Sequence, residues 1–460
     1  MGGMVFPVWW SGHINSALLR LVGAGAYNPA AAGLCEAQWR SPEAIAELQA
    51  QRLRELLEHA WENCPFYRAR MEEAGLAPGR IERTEDLARL PALTKRDIQQ
   101  HRDEMVARCF DRSELWANHT GGSTGDPLHF YWDKGDHTEH RNARALRGNQ
   151  MAGWRDGKRT VSLWGAGIDV KPSRTLKGRL SAWARNSRLL DCTVLDEAVI
   201  GRQLEAMRAF RPQIVVSYAT IAYMFASAML ERGVTDIRPE AVITSAETLA
   251  PAHRQVIERA FGCKVFDRYG CRESGLMAAE CERHEGLHIA ADELVLEVVD
   301  EAGRPALKGT LGEILVTDLF NYGMPFIRYQ IGDMGVLAEE PCSCGRGLPL
   351  LKEVAGRTAD IIRLPSGRRI AGLAIMCGFA ERCEGVANLQ LVRTGPVDFT
   401  LRIVRKSTYA DDELQYLKHK MAELFGDEVH VDYEFVTDVK RYPSGKYQFL
   451  VSDLPSDGVS

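Results

Sequence analysis

The sequence predicts an α/β fold. A large N-terminal domain has parallel sheets covered by helices plus an antiparallel subdomain, and a small α+β domain follows at the C-terminus. Three observations predict this. Short, continuously apolar strands alternate with helical segments through the middle of the chain. Strand patterns joined by turn-rich loops come next, and the last part combines strands with one helix. The 460 residues divide on this basis into domains at 1–355 and 356–460.

The first elements are helices. Ser41, Pro42 and Glu43 give an N-cap, a first-turn proline and a first-turn acid, and an apolar stripe from Leu48 to Ala60 keeps the helical period. Further helix is expected as far as about Arg102. Next come two strands flanking a glycine-rich segment, at 114–117 and 128–132, and a helix at 135–152.

The middle of the chain alternates between strands at 160–164, 214–218, 241–245 and 264–267 and helices at 197–210, 219–232 and 251–261. Apolar strands separated by helices indicate a parallel sheet covered on both faces. Ligands bind such sheets at the carboxyl ends of the strands. Those ends are expected at Trp164 and Gly165, Ser217 and Tyr218, Ser245 to Glu247, and Tyr269 and Gly270.

The pattern changes beyond Leu294. Strands at 294–299 and 312–317, joined by a turn-rich loop, predict the antiparallel subdomain. Beyond Arg357, strands at 389–392 and 399–404, a helix at 411–425 and a strand at 429–435 predict the small α+β domain.

Composition excludes several classes of protein. Hydrophobic residues make up 45% of the chain and the net charge is −5, so nothing favours nucleic acid or an anionic membrane. No apolar run is long enough for a membrane span, and the N-terminus lacks a signal-peptide pattern. The eleven cysteines do not form a disulfide framework. A cytoplasmic protein with reduced thiols is therefore expected.

The most informative segment is rich in glycine and hydroxyl side chains. Glycine lets main-chain N–H groups approach phosphate oxygens closely. No Lys-Ser or Lys-Thr follows, so the segment is not a Walker loop. The alternative is an ordinary glycine-rich hairpin tip. Its residues are Thr120, Gly121, Gly122, Ser123, Thr124 and Gly125.

Five further segments follow it in order. Each segment alone is weak evidence for a functional site, because Glu273 could be a solvated acid, Asp333 a turn residue and Lys446 a surface lysine. Six in sequence are much harder to obtain by chance. They are Ser245-Ala246-Glu247, Asp267-Arg268-Tyr269-Gly270-Cys271-Arg272-Glu273, Arg328 to Asp333, Gly356 to Asp360, and Pro443-Ser444-Gly445-Lys446.

This set resembles the adenylate-forming superfamily of acyl-CoA synthetases. The match is to its phenylacetate–CoA ligase-like branch, which includes capsule-biosynthesis-type ligases. The resemblance covers nearly the whole chain. Segments 51–60, 64–68 and 90–95 are similar to that branch's N-terminal helical region.

The resemblance implies a role for each segment. The residues Thr120 to Gly125 would hold ATP phosphates. Ser245, Ala246 and Glu247 would lie against adenine. The nucleotide site would continue at Tyr269 and Gly270, in the segment that includes Asp267 and Arg268. Glu273 would bind Mg²⁺, Asp333 would bind the ribose hydroxyls with Arg357 beside it at the hinge, and Lys446 would reach the carboxylate and α-phosphate. A cation, a lysine and aimed N–H groups would stabilise the charge that adenylation builds on the α-phosphate.

Three positions depart from the superfamily pattern. Leu128 stands where many members carry a lysine, and Cys271 and Arg272 precede Glu273 where a hydroxyl residue is usual. At the hinge, Ala359 replaces the first of two common acids and leaves Asp360, so the usual hinge rotation is in question.

A second set of residues suggests a metal. Cys281, His288, Cys342 and Cys344 would make a closed, four-ligand structural Zn²⁺ site. His284 competes for the histidine position, since Cys-x-x-His is also an acceptable spacing. The alternative is a turn with free thiols. The resemblance supports the zinc interpretation.

Aromatic residues at the strand ends predict the acyl pocket. An aryl or short acyl group suits such a lining, although each residue could equally be part of the core. The candidates are Tyr131, Trp164, Gly165, Tyr218 and Ala219.

The favoured hypothesis is an ATP-dependent, AMP-forming carboxylate ligase that passes the acyl group to CoA. A second hypothesis keeps adenylation but transfers to an amine or hydroxyl. A third is a catalytically silent nucleotide-binding scaffold, which the retained Glu273, Asp333 and Lys446 oppose. The expected ligands are ATP, Mg²⁺, CoA, a carboxylic acid and structural Zn²⁺, and the resemblance suggests a homodimer.

Overall fold

A computed structural model of the chain describes residues 29–80, 83–119, 128–164, 175–192, 197–357, 361–366, 369–371, 383, 385–440 and 449–452. Its helices are α1 (Pro29–Ala37), α2 (Pro42–Asn63), α3 (Pro65–Glu73), α4 (Lys95–Met105), α5 (Asp136–Met151), α6 (Leu176–Ala184), α7 (Glu197–Phe210), α8 (Ala219–Glu231), α9 (Pro251–Phe261) and α10 (Asp411–Phe425).

The strands begin with a hairpin before α5 and end in the C-terminal domain. They are β1 (Leu115–His119), β2 (His129–Asp133), β3 (Thr160–Trp164), β4 (Ser187–Asp191), β5 (Ile214–Tyr218), β6 (Ala241–Ser245), β7 (Lys264–Cys271), β8 (Gly275–Glu280), β9 (Leu287–Ile289), β10 (Leu294–Val299), β11 (Leu311–Asp318), β12 (Tyr329–Leu337), β13 (Leu350–Arg357), β14 (Ile361–Arg363), β15 (Arg369–Ala371), β16 (Val386–Arg393), β17 (Asp398–Arg405), β18 (His430–Val436) and β19 (Leu450–Ser452).

Local chemistry explains where the helices begin. Ser41 accepts the N–H of Ala44 at 3.2 Å ahead of α2, whose buried stripe includes Leu53, Leu56 and Leu57. Thr94 and Asp97 form a reciprocal capping box at the start of α4. None of the helices in the described ranges has the length and apolar character that crossing a bilayer requires.

The predicted α/β fold class is confirmed. The parallel strands and the antiparallel strands of the large domain belong to one continuous sheet. Eleven strands lie in the order β10-β11-β12-β13-β9-β8-β7-β6-β5-β3-β4. Strands β3 to β7 pair in parallel, and β7 then pairs antiparallel with β8. The predicted antiparallel subdomain is therefore a continuation of the parallel sheet and not a separate one.

Strand β7 is longer than predicted. It runs to Cys271, so Tyr269 and Gly270 lie inside the strand and not beyond its end at Asp267. Gly270 is needed there because an added Cβ would lie 2.3 Å from the carbonyl oxygen of Gly275 on β8.

Buried ion pairs join α5 to the antiparallel strands. Arg144 donates to Asp318 at 2.8 Å, and Arg147 donates to Asp292 at 2.5 Å, with all four side chains almost fully buried. Although burial alone would raise it, the Arg144 guanidinium holds the pKa of Asp318 well below its usual range. These pairs fix the helix that follows β2 against the sheet.

The C-terminal residues form their own sheet, in the order β18-β17-β16-β19. Helix α10 connects β17 to the parallel strand β18, and it packs Leu417, Met421 and Phe425 against Phe399 and Leu401. The predicted boundary between the domains at 355 and 356 stays a prediction.

Candidate functional site

The carboxyl ends of the parallel strands meet at one edge of the sheet, as predicted. Tyr218 ends β5 and Ser245 ends β6, and the two are cross-strand partners. Trp164 ends the neighbouring β3, and its ring centroid lies 4.3 Å from that of Tyr218. Ala219 is buried as the first residue of α8. The structure therefore brings together three described members of the predicted acyl pocket.

The turn predicted to face adenine has a strained backbone. Ala246 has φ of 69°, in the left-handed region, which costs a non-glycine residue roughly 1–2 kcal/mol. Glu247 holds the turn, because its Oε2 accepts the main-chain N–H of Thr220 in the first turn of α8 at 2.9 Å. Strain of this kind persists only where the surroundings impose it, and it is concentrated at functional sites.

Two tyrosine–carboxylate hydrogen bonds join the most distant parts of the predicted site. Tyr269 on β7 donates to Asp333 Oδ2 on β12 at 2.8 Å, and Tyr329 on β12 donates to Glu273 Oε1 just beyond β7 at 3.0 Å. Three strands separate β7 from β12, so a flat sheet would hold them roughly 19 Å apart. The antiparallel half must therefore curve back over the end of β7.

Glu273 is held from both its main chain and its side chain. It is only 7% exposed, and its carbonyl oxygen accepts the indole N–H of Trp132 at 2.8 Å. Burial, and next the Glu273 carboxylate, raise the pKa of the neighbouring Cys271 thiol. A carboxylate fixed in this way is suited to one oxygen-bound cation.

Asp333 has a second predicted neighbour. It is the cross-strand partner of Arg357, which ends β13. The predicted ribose carboxylate and the predicted hinge arginine are therefore adjacent along paired strands.

Asp267 and Arg268 are held by protein groups elsewhere. Asp267 accepts the Thr244 hydroxyl at 2.8 Å, and its pKa is raised to about 7 by burial and then by the Glu280 carboxylate. Arg268 donates to Asn149 on α5 at 2.5 Å, and burial lowers its pKa to about 10. Neither belongs to the hydrogen-bonded group that joins Glu273 and Asp333.

Tyr131 is also placed away from Trp164 and Tyr218. Its ring lies 4.8 Å from the guanidinium of Arg112 and 5.9 Å from that of Arg102, which are cation–π contacts. Its role in the acyl pocket stays a prediction.

Several predicted residues lie outside the described ones: Thr120 to Gly125, Gly165, Ala359, Asp360 and Lys446. The flanks of the first group are described. His119 at the end of β1 pairs with His129 at the start of β2. The predicted phosphate loop therefore connects the two strands of an antiparallel hairpin.

The four predicted metal ligands come together. One ligand atom from each of Cys281, His288, Cys342 and Cys344 lies within 4.8 Å of all the others. The Sγ atoms of Cys281 and Cys342 are 3.7 Å apart, against the ~3.8 Å that a tetrahedron of 2.3 Å zinc–sulfur bonds requires. Cys344 Sγ lies 3.3 Å from His288 Nε2. This arrangement fits a tetrahedral Zn²⁺ ion.

The four donors lie in different electrostatic surroundings. Burial, and next Arg346, lower the pKa of His288 to about 4, so its imidazole is neutral and keeps a lone pair for a metal. Burial raises the pKa of the Cys281 thiol, whereas hydrogen bonds from Arg346 outweigh burial at Cys344 and lower its pKa. His288 Nδ1 lies 3.4 Å from the Leu348 carbonyl oxygen, which would orient the ring.

His284 is not part of the cluster. Its Nδ1 lies 3.2 Å from Glu280 Oε2, and its ring packs against Phe266 at 4.7 Å. Across the described part of the chain, the ten cysteines form no disulfide.

Sequence reasoning missed Tyr329 and Trp132. Tyr329 lies inside the segment 328–333 that the sequence singled out, but its partner Glu273 is 56 residues away. Trp132 follows the glycine-rich loop, and no local pattern indicates its contact with Glu273. Only the folded chain pairs these residues.

The fold is that of the adenylate-forming ligases of the acyl-CoA synthetase class. A crystal structure of 2-hydroxyisobutyryl-CoA ligase in the postadenylation state matches the fold with a TM-score of 0.74 at 22% identity, over 88% of this chain and 89% of that one. Residues 364–453 match the family model described as the CapK C-terminal domain.

Sequence comparison narrows the class. Phenylacetate-coenzyme A ligase of Thermus thermophilus is 30% identical over 329 residues, which are 70% of this chain and 72% of that protein. Protein CapK of Staphylococcus aureus is 24% identical over 415 residues, 89% of this chain and 90% of that protein. The chain belongs to the phenylacetate–CoA ligase family.

Proposed function

We propose that the protein activates an aryl or short acyl carboxylic acid with ATP, forming an acyl-adenylate and pyrophosphate, and then transfers the acyl group to CoA. Relatives of this chain are named phenylacetate-coenzyme A ligase, and the crystal structure that shares its fold is of a CoA ligase in the postadenylation state with an acyl-AMP. The size of the acid is inferred from Trp164 and Tyr218, whose rings meet at the strand ends.

One observation carries the proposal. The folded chain connects Glu273 and Asp333, 60 residues apart, through two tyrosines whose hydroxyls each hold one of the carboxylates. Glu273 for a cation and Asp333 for ribose hydroxyls would supply groups that MgATP requires, and the strained turn at 245–247 begins at the end of β6, the strand paired with β7.

The residues would divide the work as follows. The substrate carboxylate is itself the nucleophile, so the protein supplies position and charge and no nucleophilic side chain. Asp333 would hold the ribose, and the loop at 120–125 would cradle the phosphates with main-chain N–H groups. Lys446 would neutralise charge on the α-phosphate during adenylation and withdraw with its domain afterwards. Mg²⁺, bound by Glu273, would supply further charge neutralisation.

We assign Zn²⁺ to Cys281, His288, Cys342 and Cys344, in a structural role. Because all four positions are taken by protein side chains, no open position is left for chemistry. The ion would fasten the loop before β13 to β8 and β9. Homodimerisation stays a prediction from the resemblance.

The test is pyrophosphate release with ATP and Mg²⁺ across a panel of aryl and short-chain acids, each with and without CoA. Release accompanied by a new thioester supports the proposal. Absence of release with every acid, from a folded and zinc-loaded protein, would favour the silent scaffold.

A second function is favoured by one observation. The C-terminal residues 364–453 match the CapK domain model, and the CapK match spans 89% of this chain against 70% for the Thermus ligase. Because the relative that covers more of this chain is named CapK and not a CoA ligase, the amine or hydroxyl of the second hypothesis is the alternative acceptor. Pyrophosphate release that neither needs CoA nor yields a thioester would establish this alternative.

A further inference from the structure

Tyr329 is a buried residue whose hydroxyl acts on a second residue of the site. Tyr329 is only 4% exposed, and its hydroxyl donates a hydrogen bond to Glu273 Oε1 at 3.0 Å. We propose that Tyr329 is a positioning residue for the MgATP cation: it holds one oxygen of Glu273 so that Oε2 is presented to the metal. The inference rests on the proposed role of Glu273 and extends it.

The position of Tyr329 is itself determined by main-chain bonds. Leu93 forms a parallel bridge to Tyr329, in which the Leu93 N–H donates to the Arg328 carbonyl and the Gln330 N–H donates to the Leu93 carbonyl, both at 2.9 Å. The ring of Phe326 packs 5.1 Å away, centroid to centroid. The N-terminal helical region therefore fixes where the hydroxyl points.

A second contact restricts Glu273 further. The indole N–H of Trp132 donates to the Glu273 carbonyl oxygen at 2.8 Å, and the guanidinium of Arg141 lies 4.2 Å from the Trp132 ring. With its main chain and one carboxylate oxygen both held, Glu273 has little freedom to rotate. A ligand preorganised in this way binds a cation without first having to be ordered.

A neutral hydroxyl is the right donor for this task. A lysine or arginine at the same position would cancel the charge of Glu273 and compete with the cation. The tyrosine hydroxyl satisfies one oxygen and leaves the carboxylate charge intact, as outer-shell partners of metal ligands do.

Asp333 is held by a tyrosine hydroxyl in the same way, with the two segments exchanging the roles of donor and acceptor. Tyr269 on β7 donates to Asp333 on β12, while Tyr329 on β12 donates to Glu273 after β7. Each segment thus supplies a carboxylate and the hydroxyl that holds the other segment's carboxylate. The two crossed bonds make the cation ligand and the ribose ligand one connected unit.

The test replaces Tyr329 with phenylalanine and measures Mn²⁺ binding by electron paramagnetic resonance in the presence of a non-hydrolysable ATP analogue. The Mg²⁺ concentration for half-maximal pyrophosphate release is measured alongside. We expect Tyr329→Phe to weaken Mn²⁺ binding and raise the Mg²⁺ requirement by about tenfold or more, the range seen when outer-shell partners are removed. The melting temperature should change little.

The matched control is Tyr67→Phe. Its hydroxyl donates to the Pro325 carbonyl at 2.6 Å and accepts the Ile327 N–H at 3.2 Å, so it supports the same stretch of chain without touching Glu273. This variant should bind Mn²⁺ as the wild type does. Equal weakening in both variants would mean general loosening of the segment and would overturn the positioning role.

The variant Glu273→Gln distinguishes the role of Glu273 as a cation ligand from the role of Tyr329 in positioning it. If it loses Mn²⁺ while Tyr329→Phe keeps wild-type affinity, the positioning inference is wrong and the proposed role of Glu273 stands. If Glu273→Gln also keeps wild-type affinity, the cation binds elsewhere and the proposed assignment fails first.

Discussion

Asp267→Asn should make the protein more stable at alkaline pH. Asp267 is partly buried, accepts the Thr244 hydroxyl at 2.8 Å, and has its pKa raised to about 7 by burial and then by the Glu280 carboxylate. Asparagine keeps a carbonyl oxygen for Thr244 and has no charge to bury. The substitution therefore imitates the protonated acid at every pH.

The sign and size of this change in unfolding free energy follow from the linkage between proton binding and folding. A carboxyl whose folded pKa is raised contributes stability that is complete below its ordinary pKa of 3.8 and is lost as the pH rises through about 7. Between pH 5 and pH 8 the wild type should lose roughly 3 kcal/mol of unfolding free energy from this group. Asp267→Asn loses none of it, which over this pH range is a difference of roughly 3 °C in Tm for a chain of 460 residues.

Thermal scans of both proteins at half-unit intervals from pH 5 to pH 8 provide the measurement. The variant should already melt somewhat higher at pH 5, because the wild-type group begins to lose stability above pH 3.8, and the gap between the two Tm values should widen steadily up to pH 8. Asp236→Asn is the control, because this exposed carboxyl has its pKa lowered by its hydrogen bond with Arg208 and should show no gain at pH 8.

Parallel Tm curves for wild type and Asp267→Asn would refute the reasoning, since they would mean that Asp267 is ionised throughout. The KM for ATP of the same variant decides the separate prediction that Asp267 binds nucleotide. An unchanged value agrees with the inward hydrogen bonds seen here, and a large increase would restore the nucleotide role.

Three other predictions concern the metal, a buried ion pair and the mobile lysine. Elemental analysis should find about one zinc per chain in the wild type and none in Cys342→Ser, whose Tm should fall. A wild type without zinc would discard the site. Asp318→Asn should lower the unfolding free energy by about 3–5 kcal/mol, because it leaves the Arg144 guanidinium buried without its charge partner, and a Tm within 1 °C of wild type would contradict this. Lys446→Ala should abolish pyrophosphate release yet form thioester from supplied acyl-adenylate, and equal loss in both half-reactions would refute its assignment.

Local patterns determined most of the elements. The strands at 160–164, 214–218 and 241–245 and the helices at 197–210, 251–261 and 411–425 begin and end where the sequence predicts. Apolar runs, caps and prolines act over about ten residues, so they are legible in the sequence alone. The clustering of Cys281, His288, Cys342 and Cys344 was also predictable, because thiols and imidazole are a distinctive set of possible metal donors.

Other features depended on packing between distant segments. The edge strand β4 was missed because Ser187–Asp191 becomes a strand only by pairing with β3. The same limit applies to the choice of His288 over His284, which depends on Glu280 holding the latter.

The candidate site shows most clearly which features the sequence determines and which depend on the tertiary structure. The sequence by itself determined that Glu273 and Asp333 belong to an ordered set of motifs, since residue identity and order are properties of the chain. Their connection was decided only by the tertiary structure. The antiparallel half of the sheet has to curve until Tyr269 meets Asp333 and Tyr329 meets Glu273. Sheet curvature arises from twist and side-chain packing summed over many strands, and no local segment encodes it.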